Sequence, residues 1–203
     1  MCCGPGRHAC EFAARGCCVT GVDRSPFLLG KAREHAAEAG VDVEFVESDM
    51  REFRRPGAFD LALSLFTSFG YFGEHEDNMK VLENICASLR PGGAVVMDMV
   101  GKEVLGRIYR DAQVAESEDS STLLVERPRI LPGWERVENE WIVLQEGRAK
   151  GYRFRHWLYS GRELSQMLLQ AGFSRVDLYG CLDGSPYDNT ASRLVAVARK
   201  GGE

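Results

Sequence analysis

Short apolar runs alternate with longer amphipathic segments along the first hundred residues. Four apolar runs predict buried strands, at 17–22, 43–46, 60–65 and 94–99. Three segments with helical spacing predict helices, at 7–15, 26–39 and 77–89. Strands that alternate with helices in this way are typical of a parallel α/β sheet.

The pattern changes after Gly101. Three strand-like stretches, at 122–130, 136–145 and 152–159, are separated by Pro-Gly and Glu-Gly turns and predict a three-stranded antiparallel insertion. Ser160 with Glu163 predicts a capping box and a further helix. The runs 175–179 and 193–198 predict a closing antiparallel pair. We expect one domain over 1–203, with an insertion over 104–159 that covers the substrate.

Composition narrows the function classes. The chain has 203 residues and a formal net charge of -5, which disfavours general nucleic-acid binding. No apolar run has the length of a membrane span, and we expect a cytoplasmic protein without membrane or nucleic-acid partners. Seven cysteines, two adjacent pairs among them, lack zinc-site spacing. We therefore expect reduced thiols and no metal.

Candidate binding residues follow the ends of successive strands. Gly4 and Gly6 precede a helix, where glycines let backbone approach a ligand. Asp23 closes the next strand and suits the two hydroxyls of a ribose. Asp49 follows the strand after that and suits an adenine amino group. Because the carboxyl ends of parallel strands meet at one edge, these residues and Leu65 should line a single cleft.

Several motifs in order resemble those of class I S-adenosylmethionine-dependent methyltransferases. They are CCGPGRH at 2–8, VTGVDRS at 19–25, SDMR at 48–51, FDLAL at 59–63, LRPGG at 89–93 and AGF at 171–173. The resemblance covers nearly the whole chain. It implies a Rossmann-like seven-stranded sheet with an antiparallel last strand, a methyltransferase activity and S-adenosylmethionine as cofactor. The cofactor residues it implies are Cys3, Gly4, Gly6, Asp23, Arg24, Asp49, Met50 and Leu65.

The chain departs from the family pattern at two points. Cys2 stands at the first glycine position of the first motif. The family's first strand, which lies between the strands ending here at Asp23 and Leu65, has no counterpart in the sequence. Without it, those two strands would carry unpaired backbone groups in the interior. We therefore expect either a truncated or mis-assigned start, or an unusual strand that replaces the first one.

The sequence indicates the residues that bind the methyl acceptor less specifically than those that bind the cofactor. The run FTSFGYF at 66–72 follows the fourth strand and should face the transferred methyl group, so Phe66 and Tyr71 are candidate substrate residues. His156 and Tyr71 are candidate bases. Arg155 would bind an anionic substrate if its face of the strand points inward; the alternative is a solvated face paired with glutamates. The insertion resembles those of small-molecule enzymes, which implies direct displacement onto a small acceptor.

Two other hypotheses remain open from the sequence. Gly4, Gly6 and Ala9 also fit a dinucleotide fingerprint, which would indicate an NAD(P)-dependent oxidoreductase. Asp49, the LRPGG turn and the antiparallel final strands argue against it. A non-enzymatic relative that keeps the fold but binds cofactor poorly is the other alternative.

Overall fold

The computed structural model describes residues 1–202. Its helices are α1 (Arg7–Ala14), α2 (Pro26–Ala39), α3 (His75–Ser88), α4 (Lys102–Ile108) and α5 (Gly161–Gln170), with a 3₁₀ turn at Pro132–Trp134. Its strands are β1 (Thr20–Asp23), β2 (Glu44–Glu47), β3 (Phe59–Ser64), β4 (Leu89–Met99), β5 (Gln113–Glu116), β6 (Thr122–Ile130), β7 (Arg136–Gln145), β8 (Arg148–Trp157), β9 (Phe173–Tyr179) and β10 (Leu194–Lys200).

The main sheet is divided into two parts. β1 and β2 form a parallel pair, and the order of the other part is β3-β4-β10-β9. β3 pairs with β4 in parallel, whereas β10 runs antiparallel to both β4 and β9. The predicted α/β fold with an antiparallel end is therefore confirmed, and β1 and β3 have no strand paired between them in the described residues.

The core lies where α3 and α5 pack on the four-stranded part. Leu82, Val95, Leu164 and Leu194 are fully buried there. In α3 the buried Val81, Leu82 and Ile85 follow helical spacing, and in β4 the buried Val95, Met97 and Met99 alternate along the strand. Burial of these side chains is the main source of stability for the carboxyl-terminal half.

The insertion has four strands rather than three. Its order is β5-β6-β7-β8, all antiparallel. The predicted bounds of β6 and β7 are correct, and β8 begins four residues earlier than predicted. β5 has four exposed residues and is held by backbone pairing to β6, so it carries no buried apolar pattern that sequence analysis detects.

One edge of the insertion is anchored to the main domain through Trp157 at the end of β8. Its backbone N–H donates to the carbonyl of Gly70 at 2.8 Å, and its indole Nε1 donates to the carbonyl of Phe72 at 2.9 Å. A side chain at Gly70 would lie 3.1 Å from the Trp157 carbonyl. The loop after β3 and the insertion are thereby held together.

No helix of residues 1–202 is both long enough and apolar enough to cross a membrane.

The capping box that opens α5 provides a test of the fold. Ser160 Oγ accepts from the Glu163 N–H at 3.2 Å, and the Glu163 carboxylate accepts from the Ser160 N–H at 2.7 Å. Ser160→Ala should lower the free energy of unfolding by about 1 kcal/mol, because an N–H of the first turn loses its partner. Ser165→Ala in the same helix is the matched control, and an equal loss in both variants would contradict a specific role for the box.

Candidate functional site

A carboxylate joins the glycine turn to the end of β1. Asp23 is buried, and its two oxygens accept from the backbone N–H of Gly4 at 2.8 Å and of Ser25 at 3.0 Å. Ser25 in turn caps α2 through its side chain. The carboxylate therefore fixes both the turn before α1 and the start of α2 at one rim of the sheet.

The two glycines of the turn have different surroundings. Both have positive φ values, +55° at Gly4 and +80° at Gly6. A Cβ at Gly6 would lie 2.9 Å from the Ala32 Cβ, so glycine there permits close contact with α2. A Cβ at Gly4 would have no atom within 4 Å, and the turn is open on that side. The open side leaves room for a ligand to approach the backbone.

The second carboxylate at this rim is Asp49, just after β2. Arg51 donates to both of its oxygens, at 3.0 and 2.9 Å, and holds the pKa of Asp49 below its ordinary value. Arg51 also reaches Asp77 at the start of α3. Met50, between the two, points into the core and is 8% exposed. The Asp49 carboxylate thus remains charged, and Arg51 fixes its orientation.

Some of the expected residues lie close together, whereas Met50 lies in the core. Burial raises the pKa of the Cys2 thiol, and charges from three of the predicted cofactor residues also act on it: Asp23, Arg24 and Asp49. Cys3 lies beside β1, where its N–H donates to the Val22 carbonyl at 2.9 Å. Leu65 and Phe66 follow β3, and together with Cys2, Cys3 and Gly4 they line one cavity.

Comparison with known proteins agrees with this arrangement. A family model described as "Methyltransferase domain" matches residues 1–93. A protein of Geobacillus sp. (strain WCH70) that is named as a methyltransferase is 26% identical over 98% of this chain and 82% of its own length. The other curated relatives considered are covered over 32–56% of their own length.

Solved structures share the fold. An S-adenosylmethionine-dependent methyltransferase from Clostridium acetobutylicum superposes with a TM-score of 0.86 at 14% identity, over 99% of this chain and 82% of that one. SAM-bound CalS10, an amino pentose methyltransferase from Micromonospora echinaspora, superposes with a TM-score of 0.71 at 22% identity, over 98% and 80%. Residues 1–93 match the methyltransferase-domain family, and the chain as a whole is similar to S-adenosylmethionine-dependent methyltransferases. The resemblance found in the sequence is confirmed, and the cofactor of this methyltransferase is S-adenosylmethionine.

The rim suits that cofactor. Asp23 is a buried carboxylate whose known partners are two backbone donors, which leaves lone pairs for ribose hydroxyls. The open side of Gly4 offers unobstructed backbone. The individual assignments of Cys3, Gly4, Gly6, Asp23, Arg24, Asp49, Met50 and Leu65 stay predictions.

Sequence analysis missed the pair that holds the loop after β3. Asp98, 2% exposed in β4, accepts from Arg193 Nε at 2.6 Å and from the Phe66 N–H at 2.9 Å. Arg193 also donates to the Thr67 hydroxyl. Phe66 and Thr67 both have a φ of +55°, which side chains rarely adopt. The sequence does carry one signal of this pair, because the charged residue Asp98 lies inside the apolar run AVVMDMV.

The two faces of β8 have different surroundings. His156 packs against Tyr71, with ring centroids 5.1 Å apart, and Asn139 Nδ2 lies 3.4 Å from His156 Nδ1. Burial lowers the pKa of His156 to about 4, so the imidazole is neutral near pH 7. Arg155 lies on the opposite face and donates to Glu138 at 2.6 Å. Its predicted role in substrate binding stays a prediction.

The arginines of the insertion form an ion-pair network. Glu138 and Glu140 each bind two arginines from the neighbouring strands: Arg129 and Arg155 for Glu138, Arg127 and Arg153 for Glu140. These side chains share one face because strand neighbours two residues apart point the same way. Within residues 1–202, no group of three or more His, Cys, Asp or Glu side chains is arranged to hold a metal.

Loss of the Asp98–Arg193 pair should be costly. Arg193→Met leaves the Asp98 carboxylate buried without its counter-charge, and we expect the free energy of unfolding to fall by about 3–5 kcal/mol. Adding Asp98→Asn to the same chain should recover most of this loss, because the buried charge is then gone. Urea denaturation measures both; a single-variant loss below about 1 kcal/mol would contradict the role given to the pair.

His156 should make stability depend on pH. Its folded pKa of about 4 lies below the ordinary value, so the unfolded chain binds a proton that the folded chain does not. Stability should therefore fall by about 3 kcal/mol as the pH drops from about 6.5 to about 4. His156→Gln should remove that part of the pH profile, whereas the exposed His35→Gln should not. Identical pH profiles of stability for wild type and His156→Gln would contradict this role of His156.

Proposed function

We propose that this methyltransferase transfers a methyl group to a small-molecule acceptor held beside the packed rings of Tyr71 and His156. The observation that carries the proposal is the contact of these two rings at 5.1 Å beside the loop after β3. Cys2 Sγ lies 4.0 Å from the carbonyl of Ser68, three residues before Tyr71. The loop that carries Tyr71 therefore adjoins the glycine turn, and the acceptor would lie next to the cofactor.

The chain's own residues would orient the acceptor and exclude water. When bound, S-adenosylmethionine supplies a methyl group that is already activated on a sulfonium sulfur. The protein therefore needs mainly to align the acceptor with that group. A neutral His156 can accept a proton or a hydrogen bond from a hydroxyl or amine, and the phenol of Tyr71 can donate one. Phe66, five residues before Tyr71 in the same loop, is 62% exposed, and its ring lies 5.3 Å from that of His8 in α1.

The insertion over 104–159 would cover the acceptor. Its His156 face also carries Phe154, whose ring lies 6.1 Å from Tyr71 and packs edge-on against Trp141 at 5.0 Å. A wall of aromatic rings favours an acceptor with an apolar or ring-shaped body. The amino pentose methyltransferase with the same fold supports a small acceptor, and the ion-paired arginines on the other face give no support for an anionic one.

Cofactor binding is the first test. Asp23→Ala should weaken binding of S-adenosylhomocysteine about 10- to 100-fold, because a charged acceptor of hydrogen bonds is lost. Asp49→Ala should weaken it less. Asp177→Ala, on β9 away from the rim, is the matched control. Isothermal titration calorimetry gives the three affinities, and binding of NAD in place of S-adenosylhomocysteine would overturn the cofactor assignment.

The second test concerns the acceptor. The release of S-adenosylhomocysteine is measured in the presence of each member of a panel of amino sugars, simple amines and phenols. His156→Ala should lower turnover of any accepted compound while leaving S-adenosylhomocysteine binding within about twofold. Arg155→Ala is the control on the opposite face of β8. If Arg155→Ala impairs turnover and His156→Ala does not, the acceptor lies on the arginine face and the proposal is wrong.

A further inference from the structure

The His156 face of the insertion extends well beyond the proposed acceptor position. β7 and β8 are paired in register, with Asn139 opposite Phe154 and Trp141 opposite Tyr152. Because strand neighbours two residues apart share a face, Phe154 and Tyr152 lie on the same side of the sheet as His156. Four residues separate His156 from Tyr152, which is about 13 Å along an extended strand. The aromatic side chains therefore form a row that leads away from the acceptor position.

One carboxylate lies on the same face as this aromatic row. Glu126 of β6 is paired with Trp141 of β7, and Gln113 of β5 is paired with Glu126. These three residues and Tyr152 thus form one line across the four strands of the insertion. Glu126 is partly buried, and its carboxylate accepts from Gln113 Nε2 at 2.6 Å. Side chains that are directly opposed on neighbouring strands contact each other, so the carboxylate lies beside the Trp141 indole.

Glu126 differs in its partners from the two glutamates on the opposite face. Glu138 and Glu140 each bind two arginines. Within residues 1–202, Glu126 forms no ion pair, and the neutral amide of Gln113 is its side-chain partner. A partly desolvated carboxylate without a counter-charge attracts a cation more strongly than one that is already paired. The insertion therefore carries one uncompensated negative charge, and it stands on the face that also bears His156.

Trp141 adds a second feature that favours a cation. Its side chain is 37% exposed, and indole is the aromatic group that binds ammonium groups best. The neighbouring Tyr152 shows this interaction within the chain, because Lys150 Nζ lies 5.1 Å from the centre of its ring. No lysine or arginine of residues 1–202 lies over the Trp141 ring. Trp141 and Glu126 are thus the part of the aromatic face that is open to an external cation.

We propose that Glu126 and Trp141 form a subsite for an alkylammonium group, and that this subsite binds a second, positively charged amino group of the methyl acceptor. The second part rests on the proposed function, which places the reacting end of the acceptor beside Tyr71 and His156. The Phe154 ring lies 6.1 Å from that of Tyr71 and 5.0 Å from that of Trp141, so it would contact the apolar chain between the two ends.

The two ends of such an acceptor have different chemistry. An uncharged amine at the reacting end forms the new N–C bond through its lone pair and then loses one proton to solvent. The ammonium group at the far end has no lone pair, so it contributes binding and is not methylated. The acceptor class is therefore a diamine, or a larger compound with two amino groups, whose nitrogens are separated by an apolar chain of roughly 10 Å.

The first experiment measures binding without methyl transfer. Hexyltrimethylammonium is the probe, because it has a cation and an apolar chain but no nucleophile, and hexanesulfonate is its anionic counterpart. We expect the cation, and not the anion, to shift the backbone amide signals of residues 124–126 and 139–143 in NMR titrations. Glu126→Gln should weaken binding of the cation about three- to fivefold, and Trp141→Leu about fivefold.

Glu116→Gln is the matched control for this titration. Glu116 is paired with Leu123, one position out of step with Glu126, so the same change of charge falls on the opposite face of the insertion. Binding of the cation should be unchanged in this variant. Equal affinities of wild type and Glu126→Gln for the cation would overturn the proposal, and so would equal shifts with hexanesulfonate.

The second experiment compares acceptors by the release of S-adenosylhomocysteine. We expect 1,8-diaminooctane to have a KM about tenfold lower than octylamine, whereas 1,3-diaminopropane is too short to reach both positions and should gain nothing. Glu126→Gln should raise the KM of the long diamine about three- to fivefold, with kcat and the KM of octylamine unchanged.

The two experiments separate the subsite from the proposed function. Equal KM values for 1,8-diaminooctane and octylamine in the wild-type protein would contradict the role of the subsite in acceptor binding. If no amine is methylated although the cation binds as expected, the proposed function is wrong and the ammonium subsite is retained.

Discussion

The buried carboxylate of Asp23 is the contact on which the cofactor rim depends. It holds the open glycine turn through Gly4 and the start of α2 through Ser25. Both of its oxygens bind backbone donors, so the carboxylate is already fixed in position, which suits its proposed role as the acceptor for two ribose hydroxyls. Cys2, at the first glycine position of the motif, has a φ of +50° and lines the same cavity as Gly4.

A second buried carboxylate, Asp98, organises the loop after β3, beside which we propose that the acceptor binds. Asp98 draws Arg193 and the N–H of Phe66 together, and this keeps the loop after β3 in a left-handed conformation. The loop then continues to Gly70 and Phe72, where Trp157 attaches the insertion. One short segment of backbone therefore links the cofactor rim to the aromatic face of the insertion. A substitution at Asp98 should alter the positions of both.

Much of the fold was predictable because its elements have strong periods. The bounds of β6 and β7 and the capping box at Ser160 follow from alternation and from local side-chain chemistry. β5 was not predictable, since four exposed residues pair through backbone alone. Arg193 was not predictable either, because its partner Asp98 is 95 residues away and no local pattern joins them.

The sequence by itself indicated the resemblance to methyltransferases, its cofactor and the order of the segments that carry Gly4, Asp23 and Asp49. It also determined that Arg155 and His156 lie on opposite faces of β8, because side chains alternate along a strand. Only the tertiary structure decided that the His156 face meets Tyr71 while the arginines pair with Glu138 and Glu140. Alternation fixes which residues share a face, but the direction of that face depends on how Trp157 docks against a distant loop.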